Sequence, residues 1–148
     1  MHPRKTIRDA AAQILTGLPT TGSRVYPSRV YAFDPAAAGG PGLMIYTFSE
    51  DSQFDTFGPK RSLARSLDLA VEIVGALNDR FDDLLDQAAL EVERAFGNNP
   101  TLNGACKDIE LRRTQVAASK DAEKQIGGMV MTFAVTYRTL GSSPEIAT

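Results

Sequence analysis

Residues 61–77 read RSLARSLDLAVEIVGAL, and the stretch alternates. Its odd positions are Leu63, Arg65, Leu67, Leu69, Val71, Ile73, Gly75 and Leu77. Its even positions are Ala64, Ser66, Asp68, Ala70, Glu72, Val74 and Ala76. A helix would group Leu63, Leu67, Ala70, Val71 and Val74. Yet one phase is apolar at all but Arg65 and Gly75, and both acidic residues fall in the other. A period of two predicts a strand over 65–77. At roughly 3.3 Å per residue it spans about 40 Å, more than a small domain needs. The fold must accommodate that length.

The remaining segments supply its neighbours. Residues 6–18 place Ile7, Ala10, Ala11, Ile14, Leu15 and Leu18 on one helical stripe. Thr6 and Asp9 resemble a capping pair, and Gly17 and Pro19 end the helix. Residues 24–33 read as a short edge or irregular strand weakened by Pro27. AAAGGPG, 36–42, reads as a flexible break, and GLMIYTF, 42–48, as a buried strand. SEDSQFDTFGPK, 49–60, reads as a long polar loop carrying two phenylalanines. Residues 81–96 form a second amphipathic helix with Asp79, Asp82 and Asp83 at its positive end, closed by Gly97. Residues 101–107 read as a turn or a short helical piece. Residues 108–118 read as a strand with a bulge near Arg113, then 119–125 as a polar turn and 126–140 as another long strand. Residues 141–148 are expected to be a flexible tail after one domain of 1–140.

The order α-β-β-β-α-β-β implies an α+β fold. An antiparallel or mixed sheet of about five strands carries both helices on one face.

Little catalytic chemistry is available. The chain has one histidine, His2, and one cysteine, Cys106. His2 is expected in a frayed terminus, which leaves no histidine for a triad and no ligand set for zinc. Cys106 lies beside Lys107, which would lower its pKa, but a half-buried filler is the expected role. Gly39–Gly42 lacks both a Walker lysine and the spacing of a dinucleotide loop. Asp79, Asp82, Asp83 and Asp86 read as helix capping and a solvated face rather than a cation site. No enzyme activity and no cofactor are expected. The net charge of −2 gives no bulk attraction to nucleic acid or to an anionic membrane. No apolar run reaches the length of a membrane span, and the N-terminus lacks a signal-type apolar core.

Two basic clusters stand out: Lys60, Arg61 and Arg65, and Arg112 and Arg113 with Lys120 and Lys124. On one copy they read as solvated surface. Repeated around a ring they would form charge belts able to meet DNA phosphates without reading sequence. Tyr46, Phe54 and Phe57 read as packing residues.

Taken together, TIRDAAAQILTGLP, PGLMIYTFSED, SLDLAVEIVGA, FDDLLDQAALEVERA, ELRRTQVAAS and MTFAVTYRT resemble, in order and pattern, the tail terminator (gpU-like minor tail) proteins of long-tailed bacteriophages. The likeness covers roughly residues 4–139. It implies a virion protein of the tail or neck, assembled in the host cytoplasm. It implies a ring of six copies that caps the tail tube, stops its polymerisation and offers a surface for head–tail joining. The implied partners are other copies of the chain, the tube protein, the head–tail connector protein and genomic DNA threading the lumen. On that reading the long strand extends past its own core towards a neighbour. Phe33, Glu50, Asp51, Phe54, Asp55 and Phe57 become candidates for tube or connector contact. Lys60, Arg61, Arg65, Arg112, Arg113, Lys120 and Lys124 become candidates for the lumen or ring charge. Asp68, Glu72 and Asp79 become candidates for the subunit interface. The alternatives are a connector or tail-completion protein of similar fold, and a small-ligand binding module.

Overall fold

A computed structural model of the chain describes residues 1–28, 34–118 and 126–148. Helix α1 (Pro3–Leu15) and strand β1 (Val25–Tyr26) come first, followed by the one-turn helix α2 (Pro35–Ala38). Strands β2 (Gly42–Phe54) and β3 (Ser62–Ala76), helix α3 (Phe81–Gly97), and strands β4 (Asp108–Ala118), β5 (Ile126–Leu140) and β6 (Ser143–Ala147) complete it.

The strands form one mixed sheet in the order β1-β2-β3-β5-β4. Only the short β1–β2 pair is parallel. Strand β3 pairs with β5 along its whole length, from Ser62 opposite Leu140 to Ala76 opposite Ile126. The other edge of β5 is shared. β4 takes it from Gly127 to Thr136, and β6 takes its end at Thr139 and Leu140.

The alternation in β3 is the alternation of its burial. Leu67, Leu69, Val71 and Ile73 are buried on one face beside Leu43 and Ile45 of β2 and Met129, Met131, Phe133 and Val135 of β5. The stripes of both long helices close over them: Ile7, Ala11 and Leu15 from α1, and Phe81, Leu85, Ala88, Val92 and Phe96 from α3. Phe96 meets Phe133 edge-on, with ring centroids 4.9 Å apart. The two breaks in the apolar phase both have causes. Gly75 is buried under α3, where a Cβ would stand 3.3 Å from Leu84 Cδ2. Arg65 is paired within the protein, as described below. Gly127 serves the same end of the sheet, because a Cβ there would lie 2.6 Å from the Phe81 ring.

Several expectations change. Helix α1 starts earlier than expected. The His2 Nδ1 accepts the Arg4 amide at 3.2 Å and Pro3 occupies the first helical turn. Asp9 therefore pairs with Lys5 at 2.6 Å instead of serving a cap. The Ala/Gly break contains α2, capped by Asp34 through the Ala36 amide at 3.1 Å and closed by Gly39 at φ 85°. Residues 49–54 are strand, not loop. Their polar character reflects missing helix cover, while pairing with β3 fixes their backbone. Residues 141–148, expected to be a flexible tail, include β6, which pairs with the end of β5. The bulge in β4 falls where expected, between Leu111 and Arg113. The segments 29–33 and 119–125 lie outside the described residues, including part of the expected 24–33 strand and the expected polar turn.

Candidate functional site

Strands β2 and β3 run past the helix cover together. From Asp51 to Arg61 every residue is exposed. The result is a hairpin arm, continued sideways by the end of β5 and by β6. Its tip is a short turn. The Asp55 amide donates to the Ser62 carbonyl at 3.0 Å, and the Ser62 amide donates to Thr56 Oγ1 at 2.7 Å. Gly58 adopts φ 101°, a left-handed conformation that costs glycine little.

The tip carries apolar surface that none of the described residues covers. Phe57 is fully exposed, and Phe54 is half exposed with the Arg61 guanidinium 5.4 Å from its ring. An open hollow of about 420 Å³ lies between Phe54, Gly58, Pro59 and Arg61 on one side and Gly141 and Ser142 on the other. The Gly141 amide donates to the Arg61 carbonyl at 2.8 Å, which ties the arm to the β5–β6 turn. Asp55 pairs with Arg138 at 2.7 Å on the same structure.

The root of the arm is held by charge. A bulge between Thr47 and Ser49 resets the phase of β2, so that Glu50 points to the helix-bearing face. There its Oε2 accepts from Arg4 Nη1 of α1 at 2.8 Å and from Arg65 Nη1 of β3 at 3.1 Å. The Tyr137 hydroxyl donates to Glu50 Oε1, and Arg65 Nε donates to Thr139 Oγ1 at 3.0 Å. The side chains of Glu50 and Arg65 are each 10% exposed. Burial first, and then the hydrogen bond to Glu50, push the Tyr137 phenol well above its ordinary pKa, so it stays a donor. Burial, followed by Arg4 and Arg65, lowers the pKa of His2 and favours the neutral ring that caps α1.

The sequence-predicted residues therefore separate. Phe54, Asp55, Phe57, Lys60 and Arg61 come together at the arm tip, and Asp51 stands on the arm's helix-free face. Glu50 and Arg65, expected at a tube contact and in a lumen, face each other inside the protein, since neither charge is stable there without the other. Arg112 and Arg113 lie on exposed β4, far across the sheet from the arm, and Arg112 meets Glu110 at 3.1 Å. Phe33, Lys120 and Lys124 lie outside the described residues. Asp68 and Glu72 lie on the helix-free face of β3, where Glu72 Oε2 accepts from the Tyr46 hydroxyl at 3.3 Å. Asp79 is exposed before α3. His2 is a helix cap rather than a frayed end. Cys106 is buried, and burial with Asp108 nearby raises its thiol to about 11, which outweighs any effect of Lys107.

Sequence reasoning missed the Glu50 cluster. One signal was available: an arginine in the apolar phase of a half-buried strand requires a carboxylate partner. Which carboxylate depended on the bulge in β2, which the sequence does not announce. Among the described residues, no group of three or more His, Cys, Asp or Glu is placed to hold a metal, and no helix is long and apolar enough to cross a membrane.

No known protein-family profile matches the chain, and no curated protein matches it. Among solved structures it is similar to a chain described as "Virion of native gene transfer agent (GTA) particle". The identity is 14%, the TM-score is 0.46, and the similarity covers 90% of this chain and 94% of that one.

Proposed function

We propose that this chain is a structural virion protein that works as a closed ring, and specifically as a tail terminator. On this reading the ring, of six copies, caps a phage-type tail tube, halts its growth and presents a surface for head–tail joining. The observation that carries it is the arm. A strand pair extends beyond its own core and ends in an uncovered phenylalanine, Phe57, beside the half-exposed Phe54. Exposed aromatic side chains on a braced hairpin are costly in isolation and useful as anchors in a partner's pocket. The internal ion cluster at the root gives the arm a fixed direction, as a capping contact needs.

The two ends of the sheet add support. The arm portion of β2 and strand β4 lie at opposite margins of the sheet, and contact between these unlike margins of successive copies would be head-to-tail, a kind of contact that closes into a ring when the rotation fits. A ring of this kind has unlike faces, as a terminator needs. Lys60 and Arg61 then stand at the tip with the aromatic anchors rather than in a lumen. DNA would pass without sequence readout. The resemblance of the sequence to tail terminators points the same way.

Two measurements test the reading. Sedimentation should show a species of six subunits, not the 16.0 kDa monomer, either alone or with tube protein. Negative-stain images of tail tubes assembled with the protein should show capped tubes of uniform length, and Phe57→Ser should abolish capping while leaving the fold intact. Uniform, capped tubes with Phe57→Ser would remove the arm from the function. A protein that binds connector but never tube would make it a tail-completion protein instead.

A further inference from the structure

The proposed ring leaves open how one copy holds the next, and the geometry points to a specific seam: the outer edge of β4 in one copy takes the arm portion of β2, Ser49–Phe54, from a second copy as an antiparallel strand. This rests on the ring reading and adds to it which surfaces meet.

Four observations converge. Among the described residues, β4 ends the sheet and no strand pairs its outer edge. Likewise, β1 pairs β2 only at Leu43 and Met44. Residues 110–116 of β4 and 51–54 of β2 are exposed on both faces, unlike the strands between them. An unpaired strand bare on both faces is a template for another strand.

Direction agrees as well. β2, β3, β5 and β4 alternate in direction. Continuing the same sheet into a second copy therefore sets its β2 antiparallel to β4.

The faces also match. Asp51 lies opposite Ser66 and Arg113 opposite Thr132, both on the helix-free face. Phe54 lies opposite Leu63, and Leu111 and Val116 lie opposite Phe133 and Met129, all on the helix-bearing face. Pairing Asp51 with Arg113 across the seam thus brings half-exposed Phe54 towards Ile109 and Leu111, the latter 37% exposed on its own chain. The seam would join acid to base on one face and apolar to apolar on the other.

A charge-swap experiment on the full chain tests this. Asp51→Arg alone and Arg113→Asp alone should each weaken assembly about tenfold, read as the concentration at which half the protein sediments as oligomer. Asp51→Arg with Arg113→Asp in one chain should recover to within about threefold of wild type. Both positions are solvent-exposed, and matching thermal melts will show that each variant folds. If the wild type assembles while the single swaps have no effect, or the double swap fails to recover, the seam is wrong and the ring reading stands. If the wild type stays monomeric at every concentration and with tube protein present, both are overturned.

Discussion

The two halves of β3 obey the same alternation for different reasons. From Leu67 to Ile73 the apolar phase lies under two helices and is buried. From Ser62 to Arg65 the apolar helix stripes no longer bury the strand among the described residues, and the same phase offers half-buried Leu63 and the guanidinium of Arg65, paired with Glu50. The covered half is held by removal of apolar surface from water. The arm is held by strand pairing and by one ionic knot at its root. The comparison teaches that the length of a strand and the extent of its core are set separately, and that surplus strand is where this chain has surface to offer.

Mutations should separate the halves most sharply in the core. Leu69 is fully buried against both helix stripes. Leu69→Ala should cost about 2–5 kcal/mol, because transfer and cavity costs add at a site with little room to relax. Urea titration reads this directly. A cost below about 1 kcal/mol would mean that the helix layer is loose and the contrast with the arm is not real.

The boundary between the halves comes next. Glu50→Ala leaves Arg65 largely buried without its carboxylate and should cost about 3 kcal/mol. Arg65→Leu with Glu50→Leu removes both charges and should lose less than the sum of the single changes. A cycle with no coupling would show that the cluster does not brace the arm.

How much of this was open to a reader of the sequence follows the same division. Period-two and helical patterns report burial, so the core strands and both long helices were legible, as was the bulge near Arg113. The pattern falls silent where burial stops. SEDSQF looks like a loop because it is polar up to Phe54 and shows no apolar alternation, yet main-chain pairing with β3 makes it strand. Strand β6 beyond Gly141 was hidden for the same reason, since it is mostly exposed and meets β5 through main-chain pairing. The partner of Arg65 was hidden because a one-residue bulge at Phe48 decides which way Glu50 points.

A smaller effect distinguishes a second buried acid, far from the arm. Glu91 of α3 accepts from the Thr20 amide at 2.8 Å, the Thr20 hydroxyl at 2.5 Å and Gln87 Nε2 at 2.9 Å. Burial pushes its pKa up, but the hydrogen bonds from Thr20 and Gln87 outweigh it, and the net shift is below the ordinary 4.5. A lowered native pKa means that the unfolded chain binds the proton more tightly. The contribution is therefore complete above pH 4.5 and is lost as pH falls through the native value. Glu91→Gln should cost about 1–2 kcal/mol at pH 7, with the gap to wild type closing in acid. A gap that stays constant to pH 3 would show that the carboxylate charge is not what the Thr20 loop recognises.

The smallest change in stability belongs to the arm tip, and there the contrast between the halves is most informative. Phe57 touches no core residue and is fully exposed, so Phe57→Ser should alter unfolding free energy by no more than about 0.5 kcal/mol. Phe54→Ser should cost slightly more, because it also removes the contact with Arg61 at 5.4 Å. If the tip exists for a partner, these near-silent changes in the isolated chain should be the most damaging ones in assembly, the reverse of Leu69→Ala in a background stabilised enough to fold. The comparison needs both columns, thermal stability and oligomer or cap formation, measured on the same preparations. Should Phe57→Ser destabilise the monomer by more than about 1 kcal/mol, the tip is covered by its own chain in solution, and its exposure is no longer a reason to place a partner there.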